Sequence, residues 1–173
     1  PESARAPLHD VAARIAAISG VHDALYQSEE LTRSISADSY LPQLVRRLVS
    51  TLAAFPVSLN IDIEPIALSS RAAIPIGIMT AEITTNAIKY GLVPGATYSV
   101  SLHRDGSDLV IRYRNTGEPY PEHPSPGLGT ELVEQLAQQM GGSSELQTGD
   151  GTTVILRLPL DRCTETDRGS NSG

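Results

Sequence analysis

The run from about Arg71 to Gly91 constrains this chain more than any other stretch. Ile76, Ile83 and Ala87 recur at i, i+7 and i+11 and form one apolar stripe of a helix. Glu82, Asn86 and Tyr90 are spaced i, i+4, i+8 and project from a different side, with Lys89 beside them. A carboxylate, an amide and an ammonium gathered on one face suit a metal-bound phosphate. Asn86 can offer Mg²⁺ a neutral oxygen, because that ion keeps few protein ligands and takes the rest from phosphate and water. Glu82 can hold a metal-bound water or polarise an attacking hydroxyl or imidazole. Lys89, the only lysine among thirteen basic residues, supplies a point charge for phosphate oxygens. The bland alternative is an ordinary helix with one solvated face, and the rest of the chain decides against it.

Around that helix the pattern alternates. Residues 4–26 read as a helix whose Leu8, Val11, Ile15, Ile18, His22 and Leu25 keep the 3-4 spacing of a coiled-coil seam, with alanines beside it that let a partner approach. One such helix cannot bury its stripe alone. Residues 27–37 read as a polar linker. A second helix is expected from about Ser39 to Ala54, with Pro42 tolerated in its first turn. Residues 57–63, 97–104, 108–115, 143–147 and 152–158 alternate as strands, two of them joined by the hairpin signal Asp105-Gly106. The segment from Gly117 to Gly127 carries four prolines and reads as an exposed loop placed to act as a lid; Leu128 to Met140 is helical and stops at Gly141-Gly142. Strands linked by hairpins on one side and helices on the other predict a two-layer α/β (α+β) sandwich. Its sheet is mixed and mainly antiparallel, with helices on one face. The expected organisation is a helical segment 1–26, the linker 27–37, a catalytic domain 38–160 and a disordered tail 161–173.

Composition excludes several classes. There is no Trp and one Phe, so the core is expected to be mostly aliphatic; a net charge of −7 without a basic stripe argues against nucleic acid and against an anionic membrane surface. No apolar run reaches membrane-spanning length. The single Cys163, placed in the polar tail, cannot form an internal disulfide, and a reducing, cytoplasmic setting is expected. A chain that opens on Pro1 is expected to be a piece of a longer protein.

Two glycine-bearing segments follow the polar helix. In Asn115-Thr116-Gly117, at a strand end, the glycine permits a sharp turn or a close ligand approach, and the Asn115 amide can both donate and accept. In Gly127-Leu128-Gly129, at a helix start, free N–H groups and the positive dipole end form a phosphate seat.

This order resembles the ATP-binding domain of bacterial sensor histidine kinases, of the HWE/HisKA_2-like subfamily, which shares the Bergerat (GHKL) fold with gyrase, Hsp90 and MutL. Glu82 to Tyr90 is similar to the N box, Asn115-Thr116-Gly117 to the G1 box, Gly127-Leu128-Gly129 to the G2 box, and Gly151-Thr152 to the closing Gly-Thr. The N-terminal run resembles the second helix of the subfamily's dimerisation domain. The resemblance implies that Asn86 ligates Mg²⁺, that Glu82 sits by the metal and the γ-phosphate, and that Lys89 meets phosphate oxygens. Tyr90 would line the nucleotide pocket, Asn115 would face the adenine amino group, and Gly117 would let the base approach. Gly127 and Gly129 would hinge the lid, Leu128 would follow it, and the Thr152 hydroxyl would lie near the adenine. It implies ATP and Mg²⁺ as cofactors, a homodimer through the N-terminal helix, and a response-regulator receiver domain as the partner.

Two departures bear on activity. Asn115 stands where the G1 box has Asp, and Pro119 replaces its second glycine, so the resemblance implies weaker ATP binding, because a neutral acceptor makes roughly half the hydrogen bond of a charged one. The phosphoacceptor histidine is expected upstream of Pro1. His22 falls on the helical seam, His103 on a strand face and His123 in the lid; His9-Asp10 has the look of an acceptor but sits on the second helix. The competing readings are a degenerate kinase-like scaffold that no longer binds ATP, and a serine-kinase anti-sigma factor, which would lack the N-terminal helix.

Overall fold

The computed structural model describes residues 11, 15, 19, 23, 34–120 and 128–165. Five strands form the main sheet: β2 (Ser58–Ile63), β4 (Thr97–Asp105), β5 (Asp108–Asn115), β6 (Ser143–Gly149) and β7 (Gly151–Pro159). Their order is β2-β4-β5-β7-β6. Only β2 and β4 run parallel; every other neighbour is antiparallel, as the hairpin signals require. The β4–β5 turn centres on Gly106-Ser107, one residue later than the Asp-Gly dipeptide suggests, and Gly106 takes φ +61°. Register sets Tyr98 opposite Asn115 and Asn115 opposite Thr152.

The helices α1 (Ala37–Leu52), α2 (Ser70–Asn86) and α3 (Leu128–Gln139) cover the sheet face that carries Tyr98, Val100, Leu102, Leu109, Ile111, Tyr113, Leu156 and Leu158, all buried. The core is aliphatic as composition implies, yet two of its largest buried side chains are Tyr98 and Tyr113. Their hydroxyls meet α2: Tyr98 lies 3.0 Å from the Thr84 hydroxyl and Tyr113 2.7 Å from that of Thr80. Buried hydroxyls need partners, and these two pairs, one helical turn apart, fix how α2 is rotated on the sheet.

Three expectations are corrected. The linker ends in β1 (Ser34–Ser36), which pairs antiparallel with β3 (Ala67–Ser69); three residues are too few for an alternation to register. Helix α1 starts at Ala37, so Pro42 falls in its second turn rather than its first, and Pro75 takes the same place in α2. The tail does not begin at residue 161: Leu160–Cys163 form a short α4, and Cys163 is fully buried among core residues. At the N-terminus, Val11, Ile15, Ser19 and Asp23 are helical; Val11 and Ile15 are exposed, and the Asp23 carboxylate lies 3.9 Å from Arg47 of α1. Among the described residues no helix is long and apolar enough to cross a membrane.

Candidate nucleotide site

Ser69 caps α2 by accepting from the Ala72 N–H at 3.2 Å. The helix runs through Asn86 and widens into a π turn, Ala87–Gly91, closed by the Leu92 N–H on the Ala87 carbonyl at 2.7 Å. Such turns are rare and gather at functional sites. Glu82 is nearly buried, Asn86 is partly exposed, and Lys89 and Tyr90 stand on the surface of the π turn.

The start of α3 lies against this face. A Cβ on Gly129 would sit 2.5 Å from Glu82 Oε2 and 3.9 Å from Asn86 Nδ2. Only a residue without a side chain lets the helix N-terminus come so close. Beside this contact a cavity of about 260 Å³ opens between α2, α3 and the β6–β7 edge. Asn86, Tyr90 and Gly129 line it, together with Ile83, Val133 and Tyr120. The site therefore joins a carboxylate, an amide and a helix N-terminus to an apolar recess. That arrangement suits a ligand with one anionic end and one flat apolar end. The donors also fit Mg²⁺. Among the described residues no three His, Cys, Asp or Glu side chains cluster, so a metal here would rest on Asn86 and Glu82 with phosphate and water completing its shell.

Asn115, Gly117 and Thr152 form a second group at the ends of β5 and β7. Asn115 is 2% exposed, and its Nδ2 donates to the Glu118 carbonyl at 3.3 Å. The Thr152 hydroxyl accepts from the Tyr120 N–H at 3.0 Å. A Cβ on Gly117 would fall 1.8 Å from the Gly91 carbonyl oxygen, and one on Gly91 would fall 2.4 Å from the Asn115 amide nitrogen. The π turn and the strand end thus touch backbone to backbone. The cavity lining includes Asn86 and Tyr90 but not Asn115, Gly117, Thr152 or Lys89. Gly127, His9, His22 and His123, and the Leu128 side chain, lie outside the described residues. His103 sits on β4, 3.1 Å from the Asp62 carboxylate, and does not line the cavity.

Sequence reasoning missed Tyr120, Val133 and Leu146 as lining residues. Tyr120 meets Tyr90 edge-on, with ring centroids 6.1 Å apart and planes at 72°. Burial, then the neighbouring Tyr90, pushes its phenol well above the ordinary range, so it stays neutral. Its signal was an aromatic ring inside a Pro-rich loop of an aromatic-poor chain.

Residues 72–162 match the family described as histidine kinase-, DNA gyrase B-, and HSP90-like ATPase, and residues 1–52 match one described as histidine kinase. The chain belongs to that ATPase family. Within it, the similarities point to the histidine kinases. The blue-light-activated histidine kinase 2 of Erythrobacter litoralis is 27% identical over 114 residues, 61% of this chain and 33% of that protein. The sensor-type histidine kinase PrrB of Mycobacterium tuberculosis is 26% identical over 165 residues, 84% of this chain and 37% of that protein. The histidine kinase domain of the Erythrobacter litoralis EL346 blue-light activated kinase superposes with a TM-score of 0.80 at 18% identity, covering 88% of this chain and 76% of that one. The chain spans 33% to 42% of the length of the curated relatives it matches.

Proposed function

We propose that this chain is the catalytic region of a protein-histidine kinase, binding Mg²⁺-ATP and directing its γ-phosphate to a histidine for relay to a response-regulator aspartate. One observation carries the reading: the start of α3 approaches Glu82 and Asn86 so closely that a Cβ at Gly129 would meet the Glu82 carboxylate. A phosphate on the α3 N-terminus would then lie within reach of both side chains. Asn86 would hold Mg²⁺, which supplies charge neutralisation to the phosphates when bound; Glu82 would orient the attacking group, and Lys89 would meet phosphate oxygens. Tyr90 lines the recess for the base, and Asn115, Gly117 and Thr152 would recognise its edge. Catalysis in such a site is mostly positioning and charge neutralisation.

We assign residues 1–26 to the second helix of a dimerisation hairpin, 27–33 to a linker and 34–163 to the catalytic domain, with the acceptor histidine outside this chain and His9 the alternative within it. Two exposed seam residues, Val11 and Ile15, support a homodimer through that helix. A free buried Cys163 supports a reducing, cytoplasmic setting.

The deciding experiment is calorimetry of Mg²⁺-ATP and Mg²⁺-ADP on this chain beside Asn86→Ala. We expect Mg²⁺-dependent binding near the micromolar range, about −8 kcal/mol, that is lost in the variant. A folded protein that ignores millimolar nucleotide would overturn the reading. It would favour the degenerate scaffold, for which one contact speaks: the Asn115 amide nitrogen is spent on the Glu118 carbonyl.

A further inference from the structure

The sheet face turned away from the helices carries a charge pattern that the nucleotide site does not use. Leu109, Ile111 and Tyr113 of β5 are buried in the core, so the period of two turns Arg112 and Arg114 to the opposite face. β5 is the middle strand of five, which puts both arginines at the centre of that face. Register sets Arg112 between Ser101 and Ile155, and Arg114 between Ser99 and Thr153. Both arginines are exposed, and neither meets a carboxylate among the described residues. Other charges on the face are matched: His103 lies 3.1 Å from Asp62, and Arg157 lies 3.1 Å from Asp105. Glu145 sits on the edge strand, where it accepts from the Gln147 amide at 2.8 Å, and Asp108 lies at the hairpin end of β5.

Alternate residues of a strand stand about 7 Å apart, so Arg112 and Arg114 are two like charges that repel each other. Each guanidinium is a planar fork that takes a carboxylate through two parallel hydrogen bonds. The short hydroxyl side chains of Ser99, Ser101 and Thr153 flank the pair and leave both forks accessible, and Ile155 adds a half-buried apolar contact beside Arg112. The spacing of the two forks equals that of side chains i and i+2 on any extended chain. We propose that the open sheet face docks an extended segment of a partner protein that carries Asp or Glu at two alternate positions. Charge favours a short acidic segment over nucleic acid. A net charge of −7 repels a long polyanion, whereas a segment of a few residues meets mainly the two guanidiniums within a screening length of about 8–10 Å.

The test is an NMR titration of the isotope-labelled intact chain with three capped peptides. The probe is Ala-Glu-Ala-Glu-Ala, with Ala-Glu-Glu-Ala-Ala as the spacing control and Ala-Lys-Ala-Lys-Ala as the charge control. The probe should shift the amides of Ser99, Ser101, Arg112, Arg114, Thr153 and Ile155, and the shifts should fade as salt is raised. Binding should weaken roughly tenfold in Arg112→Gln/Arg114→Gln. Arg112→Glu/Arg114→Glu should reverse the preference and take the lysine peptide. The absence of shifts at millimolar probe overturns the proposal, as do equal shifts with either control. A DNA duplex that displaces the probe from the same residues and binds more tightly overturns it in favour of nucleic acid. Should the double variants unfold, the wild-type titrations decide alone.

Discussion

Replacing Gly129 with Ala separates function from stability at this site. The new Cβ would stand 2.5 Å from Glu82 Oε2. Carbon-to-oxygen contacts settle near 3.3–3.6 Å, so the carboxylate or the helix start must retreat by about 1 Å. The atom struck is the end of a flexible side chain, so the carboxylate is the part that yields. The fold should lose little, because Ala is a better helix former than Gly by up to about 1 kcal/mol. Function should lose more. A hydrogen bond to a charged group contributes about 1.5–3 kcal/mol, and moving Glu82 away from a metal-bound water forfeits one such interaction, equivalent to roughly 10- to 100-fold in affinity.

Calorimetry and thermal melting on the same preparation check this. Gly129→Ala should melt within about 2 °C of wild type and bind Mg²⁺-ATP at least roughly tenfold more weakly. Unchanged Mg²⁺-ATP affinity at unchanged melting temperature would refute the placement of Glu82 at the metal end. A melting temperature lower by several degrees would show that the strain goes into the fold and not into the carboxylate.

Gly117→Ala should behave in the opposite way: its Cβ meets the Gly91 carbonyl at 1.8 Å, where only backbone can yield, and a cost of about 2–4 kcal/mol should lower the melting temperature by roughly 10 °C. Tyr98→Phe should cost about 1–3 kcal/mol in urea unfolding, because it leaves the buried Thr84 hydroxyl unpaired. Tyr113→Phe should cost less, since Thr80 still donates to the Ile76 carbonyl at 2.8 Å; equal costs would mean that this second bond does not compensate for the lost one. Cys163 gives a pH dependence: burial, then Asp161, raises its thiol from 9.0 to about 12. The folded state favours the neutral thiol, so stability is full below pH 9.0 and falls as pH rises towards 12. Urea midpoints from pH 8 to 11 should show a decline that Cys163→Ala reduces. Ile15→Asp, on an exposed seam position, should convert a dimeric mass in light scattering to a monomeric one.

What could be read from the sequence was whatever repeats locally. The stripe through Ile76, Ile83 and Ala87 and the alternation in β4, β5 and β7 each report a face within one element, and that was enough for the two-layer architecture. Glu82, Asn86 and Tyr90 were legible for the same reason. What was hidden depends on contacts between distant segments. Cys163 sits in a polar stretch, yet it is buried because α4 folds back on the core after β7. The π turn leaves no periodic trace in five residues, and it shifts Tyr90 from the simple i+4 position behind Asn86. Tyr120 becomes part of the site only because β7 brings Thr152 beside Asn115.

The contact between Gly91 and Gly117 ties these hidden features together. Gly91 closes the π turn that follows Asn86; Gly117 follows Asn115 at the end of β5. A Cβ on Gly117 would strike the Gly91 carbonyl and one on Gly91 would strike the Asn115 amide, and the Glu118 N–H donates to the Gly91 carbonyl. The element carrying Asn86 and the element carrying Asn115 therefore share one junction. Lys89 and Tyr90 lie within the turn that ends there.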